Sequence, residues 1–167
     1  MGRSRKWFDE KEWDLFWKSW DEAIQRIPDL KREALEAMGE DVLQEVREQI
    51  SRRGVNDPQG RVARWQEVRK GDRGGYVAVS PSPDETVQVT RSGEKTTSKD
   101  VTRYLERGHG IRPPSGRSRR YVPRIASRKT YVRGRMFYSW AKLDAGKIAL
   151  EKANRVLERL TSLLSER

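Results

Sequence analysis

The residues of this chain that could do chemistry are concentrated in one basic segment. From Arg107 to Leu143 there are eleven Lys or Arg and no Asp or Glu. The rest of the chain holds 25 Lys and Arg against 25 Asp and Glu, so this segment accounts for the formal net charge of +11. A block of like charge repels itself, and the planar guanidinium fork suits phosphates and carboxylates. The segment therefore predicts contact with an anionic partner.

Glycine, proline and serine in the first part of this segment predict a long basic loop at about 108–130. A loop of this length is usually functional or disordered. Three interpretations stay open: contact with a nucleic-acid backbone, contact with an acidic protein surface in an assembly, or a solvated loop with no partner. The chain carries no sequence-reading motif, so contact with DNA would be sequence-blind and strongly salt-dependent. The candidate contact residues are Arg112, Arg117, Arg119, Arg120, Arg124, Arg128 and Lys129.

The other candidate for chemistry is His109, the only histidine. It stands between two glycines, with Glu106 as the only acidic neighbour nearby in sequence, and a catalytic base normally needs an oriented partner. The absence of cysteine excludes a disulfide, a thiolate nucleophile and a cysteine-ligated metal. Carboxylates alternate with Lys and Arg on the predicted helices, which is typical of surface ion pairs rather than of a metal cluster. We predict a non-enzyme without metal or cofactor.

The composition fits one modest domain with a large solvated surface. The chain has 167 residues, of which 34% are hydrophobic and 37% charged, and its mean hydropathy is -0.97. Such values predict helices with wide solvated faces, or ends that order on assembly. Six tryptophans argue against outright disorder. The apolar runs are too short for a membrane span, and the basic N-terminus lacks an apolar signal core, so a soluble cytoplasmic protein is expected.

Two helices are predicted in the first third, separated by Pro28. Bulky apolar residues recur at steps of three and four before Pro28, and a second apolar stripe runs from about Asp29 to Arg53. Both stripes could pack into the core. The aromatic density of the first also suits docking on a neighbouring subunit, where aromatics are enriched. The two interpretations overlap, and the candidate interface residues are Trp13, Phe16, Trp17 and Trp20.

The middle of the chain predicts a small antiparallel sheet. Strand-like segments 63–69 and 76–80 flank a glycine-rich turn, and a third follows at 86–90. Ser98 is predicted to cap a short helix that continues to Arg107. After Gly134, which is predicted to adopt a backbone conformation closed to branched residues, the chain becomes helical again. The inward stripe of this last helix comprises Ala149, Ala153, Val156, Leu160, Leu163 and Leu164, and its opposite face is interpreted as solvated.

These elements predict an α+β fold. A small antiparallel sheet would pack against two long helices, with an extra N-terminal amphipathic helix and the long basic loop. Residues 1–28 would form the N-terminal tryptophan-rich extension, and residues 29–167 a single domain.

The order of parts resembles the tail-component family of long-tailed bacteriophages and prophages, variously called neck, head–tail joining or tail-completion proteins. Segment 104–108 (Tyr-Leu-Glu-Arg-Gly) looks like the family's Tyr-hydrophobic-Glu-Phe-Gly-Thr element. Segment 134–141 is similar to its Pro-Phe-Leu-x-x-Ala helix start. The family's Phe, Thr and Pro are replaced here by Arg107, His109 and Arg135. The resemblance spans roughly 29–164, excludes the tryptophan helix, and assigns structural roles to Tyr104, Glu106, Gly108, Gly134 and Phe137.

The resemblance implies a virion subunit that forms a ring at the head–tail interface without catalysis, after assembly in the host cytoplasm. Its partners would be further copies of itself, the head-closure or connector ring and the tail tube, with no membrane. The genome would pass through the lumen, which offers the basic loop either DNA phosphates or an acidic neighbouring ring. The alternative is a sequence-nonspecific basic DNA-binding protein. A hydrolase or nuclease is motivated only by His109 and scattered acids.

Overall fold

The computed structural model describes residues 10–71, 74–83, 85–89, 93–110 and 131–165. Four helices and six short strands lie within these ranges. In chain order they are α1 (Glu10–Arg52), α2 (Arg61–Arg64), β1 (Gln66–Lys70), β2 (Val77–Pro81), β3 (Thr86–Val89), β4 (Lys95–Thr97), α3 (Ser98–Arg107), β5 (Gly108–Gly110), β6 (Tyr131–Arg133) and α4 (Phe137–Ser165).

The N-terminal third is one helix of 43 residues, with Pro28 inside it. The prediction of two helices separated at Pro28 is therefore wrong. A proline in a helix interior removes one hydrogen bond and crowds a carbonyl, at a cost of about 3 kcal/mol. The turns on either side keep their own bonds, so a helix of this length can absorb that cost. The predicted boundary at residue 28 falls within continuous helix, and the role of 1–28 as an extension stays a prediction.

Helix α4 runs antiparallel along the C-terminal half of α1. Lys152 lies 2.6 Å from Asp41 and Arg159 lies 2.8 Å from Glu33, so the paired residue numbers move in opposite directions. At the other end of this pair the Arg53 guanidinium lies 3.8 Å from the centre of the Trp140 ring. The core sits at that end, where α1, α2 and the start of α4 meet. Its buried members are Val46, Ile50, Val62, Trp65, Phe137 and Ala141.

The predicted inward stripe of α4 is partly right. Most of its members are half-buried, but Ala153 and Leu164 are exposed. The side of α4 predicted to be solvated also contacts α1, since Lys152 is half-buried and pairs with Asp41, and Arg159 also pairs with a residue of α1. The face that α4 turns to α1 is therefore rotated from the predicted one.

The strands form three separate antiparallel pairs, not one sheet. The predicted hairpin is β1–β2, with Gln66 opposite Pro81 and Lys70 opposite Val77. The first strand was predicted to begin at residue 63. In the structure, residues 61–64 form α2 and the strand begins at Gln66. The α+β class is right, whereas the single sheet is wrong because each pair is only three to five residues long and packs on helices separately.

Two local predictions are corrected by their backbone hydrogen bonds. Gly108 pairs with Arg133 in the β5–β6 ladder, so residues 108–110 are a strand and not loop. A ladder is made by backbone groups, and a glycine can join it. Helix α3 is capped by Thr97, not by Ser98, in a reciprocal capping box with Asp100. The hydrogen bonds from Thr97 lower the pKa of the Asp100 carboxyl.

Among the described residues, no helix combines the length and apolar character that crossing a membrane requires.

Because α1 continues through Pro28, the substitution Pro28→Ala should strengthen the helix. It restores a backbone donor at position 28, and the gain is expected to approach but not exceed about 3 kcal/mol locally. The measurement is amide hydrogen exchange of residues 10–27, which should slow. Pro58→Ala, in the turn after α1, is the matched control and should leave this exchange unchanged. Unchanged exchange in Pro28→Ala would contradict a helix that continues through this position.

Candidate functional site

The two segments that carry the family resemblance meet in space, where the end of α3 contacts the start of α4. The Glu106 carboxylate accepts hydrogen bonds from the backbone N–H groups of Tyr138 (2.9 Å) and Ser139 (3.1 Å). It also accepts one from the Ser139 hydroxyl at 2.8 Å. The first N–H groups of a helix have no partner within it and carry partial positive charge. Glu106 therefore caps α4 from another element of the chain.

Helix α4 needs this external cap because its own N-cap residue, Met136, has no side-chain acceptor suited to the task. Met136 adopts a positive φ of 56° and its carbonyl accepts from Trp140 N–H at 3.0 Å. Ser, Thr, Asp and Asn are the usual N-caps because their short side chains accept from the following turn. Here the carboxylate of Glu106 takes over that role.

The contact is reciprocal, since the chain before α4 also satisfies the end of α3. The backbone N–H of Arg135 donates to the Leu105 carbonyl at 2.7 Å, and that of Met136 donates to the Glu106 carbonyl at 3.1 Å. The Tyr131 hydroxyl donates to the Arg107 carbonyl at 2.6 Å. The last carbonyls of a helix otherwise lack partners. The two helix ends thus cap each other, and we call residues 104–108 with 131–139 the helix-end joint.

Two glycines allow the chains of the joint to approach closely. A Cβ on Gly134 would lie 2.2 Å from the Glu106 carbonyl oxygen, and one on Gly108 would lie 2.3 Å from the Val132 carbonyl oxygen. Gly108 also has a φ of 84°, in the region that favours glycine. Gly134, in contrast, does not have a positive φ. The predicted backbone conformation of Gly134 is therefore wrong. The constraint at this position is the space between the two chain segments, which leaves no room for a side chain.

The joint is fixed to the core through the first residues of α4. Phe137 is completely buried, and the neighbouring Tyr138 donates a hydrogen bond from its hydroxyl to Gln66 at the start of β1. Burial, together with the charge of Glu106, raises the pKa of the Tyr138 phenol far above its usual range, so it stays protonated as the donor. Tyr104, in contrast, is 41% exposed and packs beside the His109 ring at 5.5 Å.

His109 lies in β5 opposite Val132. Both oxygens of Glu106, the acid nearest to it in sequence, accept hydrogen bonds from α4. Within the described ranges, no cluster of three or more His, Asp or Glu could hold a metal ion. No acid among the described residues is hydrogen-bonded to His109, and the absence of catalysis stays a prediction.

All seven predicted anion contacts, from Arg112 to Lys129, lie outside the described residues. The described chain does show how their segment is anchored: β5 and β6 pair antiparallel immediately before and after it. On the α4 side, Arg133 and Arg135 are exposed and continue the basic stretch. The segment therefore begins and ends at one place, the helix-end joint.

The four predicted interface aromatics share the N-terminal half of α1, and we call them the aromatic stripe. Trp13, Phe16, Trp17 and Trp20 are 42–49% exposed. Their rings stack on one another, with centroids 5.7 Å apart for Trp13 and Phe16 and 6.2 Å apart for Phe16 and Trp20. The aromatic stripe is therefore not part of the hydrophobic core of this chain, and its role as a subunit contact stays a prediction.

Sequence reasoning assigned no role to several contributors to the joint, namely Tyr131, Tyr138, Ser139 and the backbone of Arg135 and Met136, nor to Gln66, which holds the joint to the core. Only Ser139 left a signal, since a hydroxyl residue near a helix start suits capping. The partners of the other groups are distant in sequence.

No protein-family model matches this chain, and neither a curated protein nor a solved structure is significantly similar to it.

Removing the Glu106 carboxylate should lower the stability of the protein, because the helix-end joint loses its hydrogen-bond acceptor. Glu106→Ala leaves the first turn of α4 uncapped, and we expect a loss of about 0.5–2 kcal/mol in the free energy of unfolding. Urea denaturation measures it. Glu151→Ala, which removes an exposed carboxylate paired with Arg155, is the control and should change stability little. Equal stability of the two variants would contradict the capping role.

The close approach at Gly134 predicts that even a methyl group is harmful. Gly134→Ala should destabilise the fold, and Gly134→Val more so, because the new carbon would overlap the backbone of α3. Gly75→Ala is the matched control: Gly75 lies between β1 and β2, where a Cβ would meet nothing within 4 Å, and the substitution should change stability little. The measurement is the melting temperature of each variant. An unchanged value for Gly134→Ala would refute the steric reading.

Proposed function

We propose that this chain is a structural subunit of the head–tail joint of a long-tailed phage or prophage, acting as a ring without catalysis. The observation that carries the proposal is the helix-end joint. The two short segments that resemble the family are 26 residues apart in sequence, yet they cap each other's helices. Such a reciprocal contact gives a physical reason for both segments to occur together and in this order.

The joint also explains how a charged loop could serve a ring. Segment 111–130 leaves β5 and returns at β6, so its basic residues are tethered at a fixed base. A ring around the genome path would offer them DNA phosphates in the lumen or the acidic face of an adjoining ring. Either partner removes the self-repulsion of the segment, and neither requires a reaction.

The aromatic stripe supports assembly with further copies. Each buried aromatic side chain covers about 150–250 Å², so covering four half-exposed ones would contribute several hundred Å². That is a large share of the roughly 800 Å² per partner in a standard protein interface. Exposed apolar patches of such size mark interaction sites.

The test is electron microscopy of particles from a phage or induced prophage in which this gene is disrupted. We expect DNA-filled heads lying apart from finished or over-length tails, and joined virions when the wild-type gene is supplied in trans. Joined virions without any copy of the gene would contradict the proposal.

The acid-free segment also favours a second candidate, a sequence-nonspecific DNA-binding protein. Its DNA affinity should fall steeply with salt, with a log–log slope of several units. Changing Arg117, Arg119 and Arg120 to Gln should lower that slope, whereas changing Arg155 and Arg159 on α4 should not. A loop variant that keeps both its DNA affinity and its virion assembly would exclude the loop from either function.

A further inference from the structure

The aromatic stripe continues the face of α1 that binds α4. Ala34, which lines the groove between α1 and α4, follows Ile27, Trp20 and Trp13 at steps of seven residues. Residues seven apart lie on the same side of a helix that packs on another helix. Arg159 contacts Glu33, and α4 ends six residues later at Ser165, so it reaches about as far as Ile27. The stripe lies beyond that point, on a face suited to a helix.

Helix α4 presents a second apolar face, directed away from α1. Leu143, Leu150, Leu157 and Leu164 recur every seven residues and are 65%, 65%, 61% and 38% exposed. This spacing is typical of helices that pack side by side. In the sequence analysis, Leu164 belongs to the inward stripe of α4 and the other three leucines are assigned to no face.

A groove borders the first two leucines. It has a volume of about 430 Å³ between α1, β2 and α4, and its lining includes the small residues Gly39, Ala78 and Gly146. Gly146 lies one turn from both Leu143 and Leu150. A glycine inside a helix is less favourable than alanine. Its Cβ would meet nothing within 4 Å, so packing among the described residues does not require it. A large side chain arriving from outside would require that space.

We propose that the aromatic stripe of one copy docks on the face formed by Leu143, Gly146 and Leu150 of the next copy. We call this second surface the leucine–glycine face. In this arrangement the aromatic side chains of the stripe enter the groove lined by small residues, and Leu143 and Leu150 lie on either side of these aromatic side chains. The inference rests on the proposed ring and specifies its contact: the two surfaces differ, so copies join head to tail, the arrangement that closes into rings.

The charges favour this pairing over self-pairing of either face. Asp21 follows Trp20 on α1, Lys142 lines the groove, and neither forms an ion pair with any described residue. Self-pairing of either face would bring two Asp21 or two Lys142 side chains to one interface, whereas head-to-tail docking brings Asp21 toward Lys142. Opposite charges across an interface favour the correct partner, and like charges disfavour it.

The test uses two variants of the full chain, measured by native mass spectrometry and sedimentation. One combines Trp13→Ala, Trp17→Ala and Trp20→Ala; the other combines Leu143→Glu and Leu150→Glu. Each variant alone should associate at least about 100-fold more weakly than the wild type, because central aromatic and leucine anchors dominate interfaces. A 1:1 mixture retains one intact surface of each kind and should form a heterodimer that grows no further.

Three results would overturn the inference. They are a mixture that stays monomeric while the wild type assembles, a loss of association in only one of the variants, and a wild-type chain that is monomeric even at about millimolar concentration. None of them changes the expected phenotype of gene disruption, so the inference and the proposed function can fail separately.

A second measurement covers the case in which a multiple variant does not fold. The chain has no cysteine, so Trp17→Cys and Leu150→Cys can be introduced singly and mixed under oxidising conditions. Head-to-tail docking predicts the mixed disulfide in at least several-fold excess over either homodimer. Homodimers of one variant in excess would overturn the inference in favour of self-pairing.

Discussion

The structure depends on one carboxylate that connects two helices distant in sequence. Glu106 stands at the end of α3, and its oxygens accept three hydrogen bonds at the start of α4. In return, backbone donors before α4 satisfy the last carbonyls of α3. Hydrogen bonds to charged groups are stronger than neutral ones, and leaving such groups unpaired is costly. This exchange adds to the burial of Phe137 and to the packing of α4 on α1 in fixing the start of α4.

The helix-end joint also determines where the basic segment is attached to the folded chain. The basic segment begins and ends at the helix-end joint through β5 and β6, so its base is fixed relative to the core. The aromatic stripe lies at the far end of α1, beyond the end of α4, and belongs to a different surface. Under the proposed function, the aromatic stripe would contact further copies and the basic segment would contact an anionic partner.

Local signals in the sequence predicted the parts whose bonds are local. The β1–β2 hairpin follows from alternating residues around a glycine-rich turn, and α3 follows from a polar cap before a short amphipathic run. Pro28 misled because a proline weakens a helix without always ending it. The short strand at Gly108 was missed because its partner, Arg133, is 25 residues away. The exposed leucines of α4 were missed as a set, because Leu164 was assigned to the inward stripe and the other three to no face.

For the site, Glu106, Gly108 and Phe137 were assigned structural roles only through a resemblance, and the geometry supplies the physical reason for each. The central claim is that this chain forms a ring at the head–tail joint, with its basic segment toward the genome path or a neighbouring ring. Cryo-electron microscopy of intact particles, reconstructed around that joint, tests it most directly. The account predicts a closed ring of this chain between head and tail, with residues 111–130 against DNA or an acidic ring. A fully traced joint that contains no copy of this chain would contradict it.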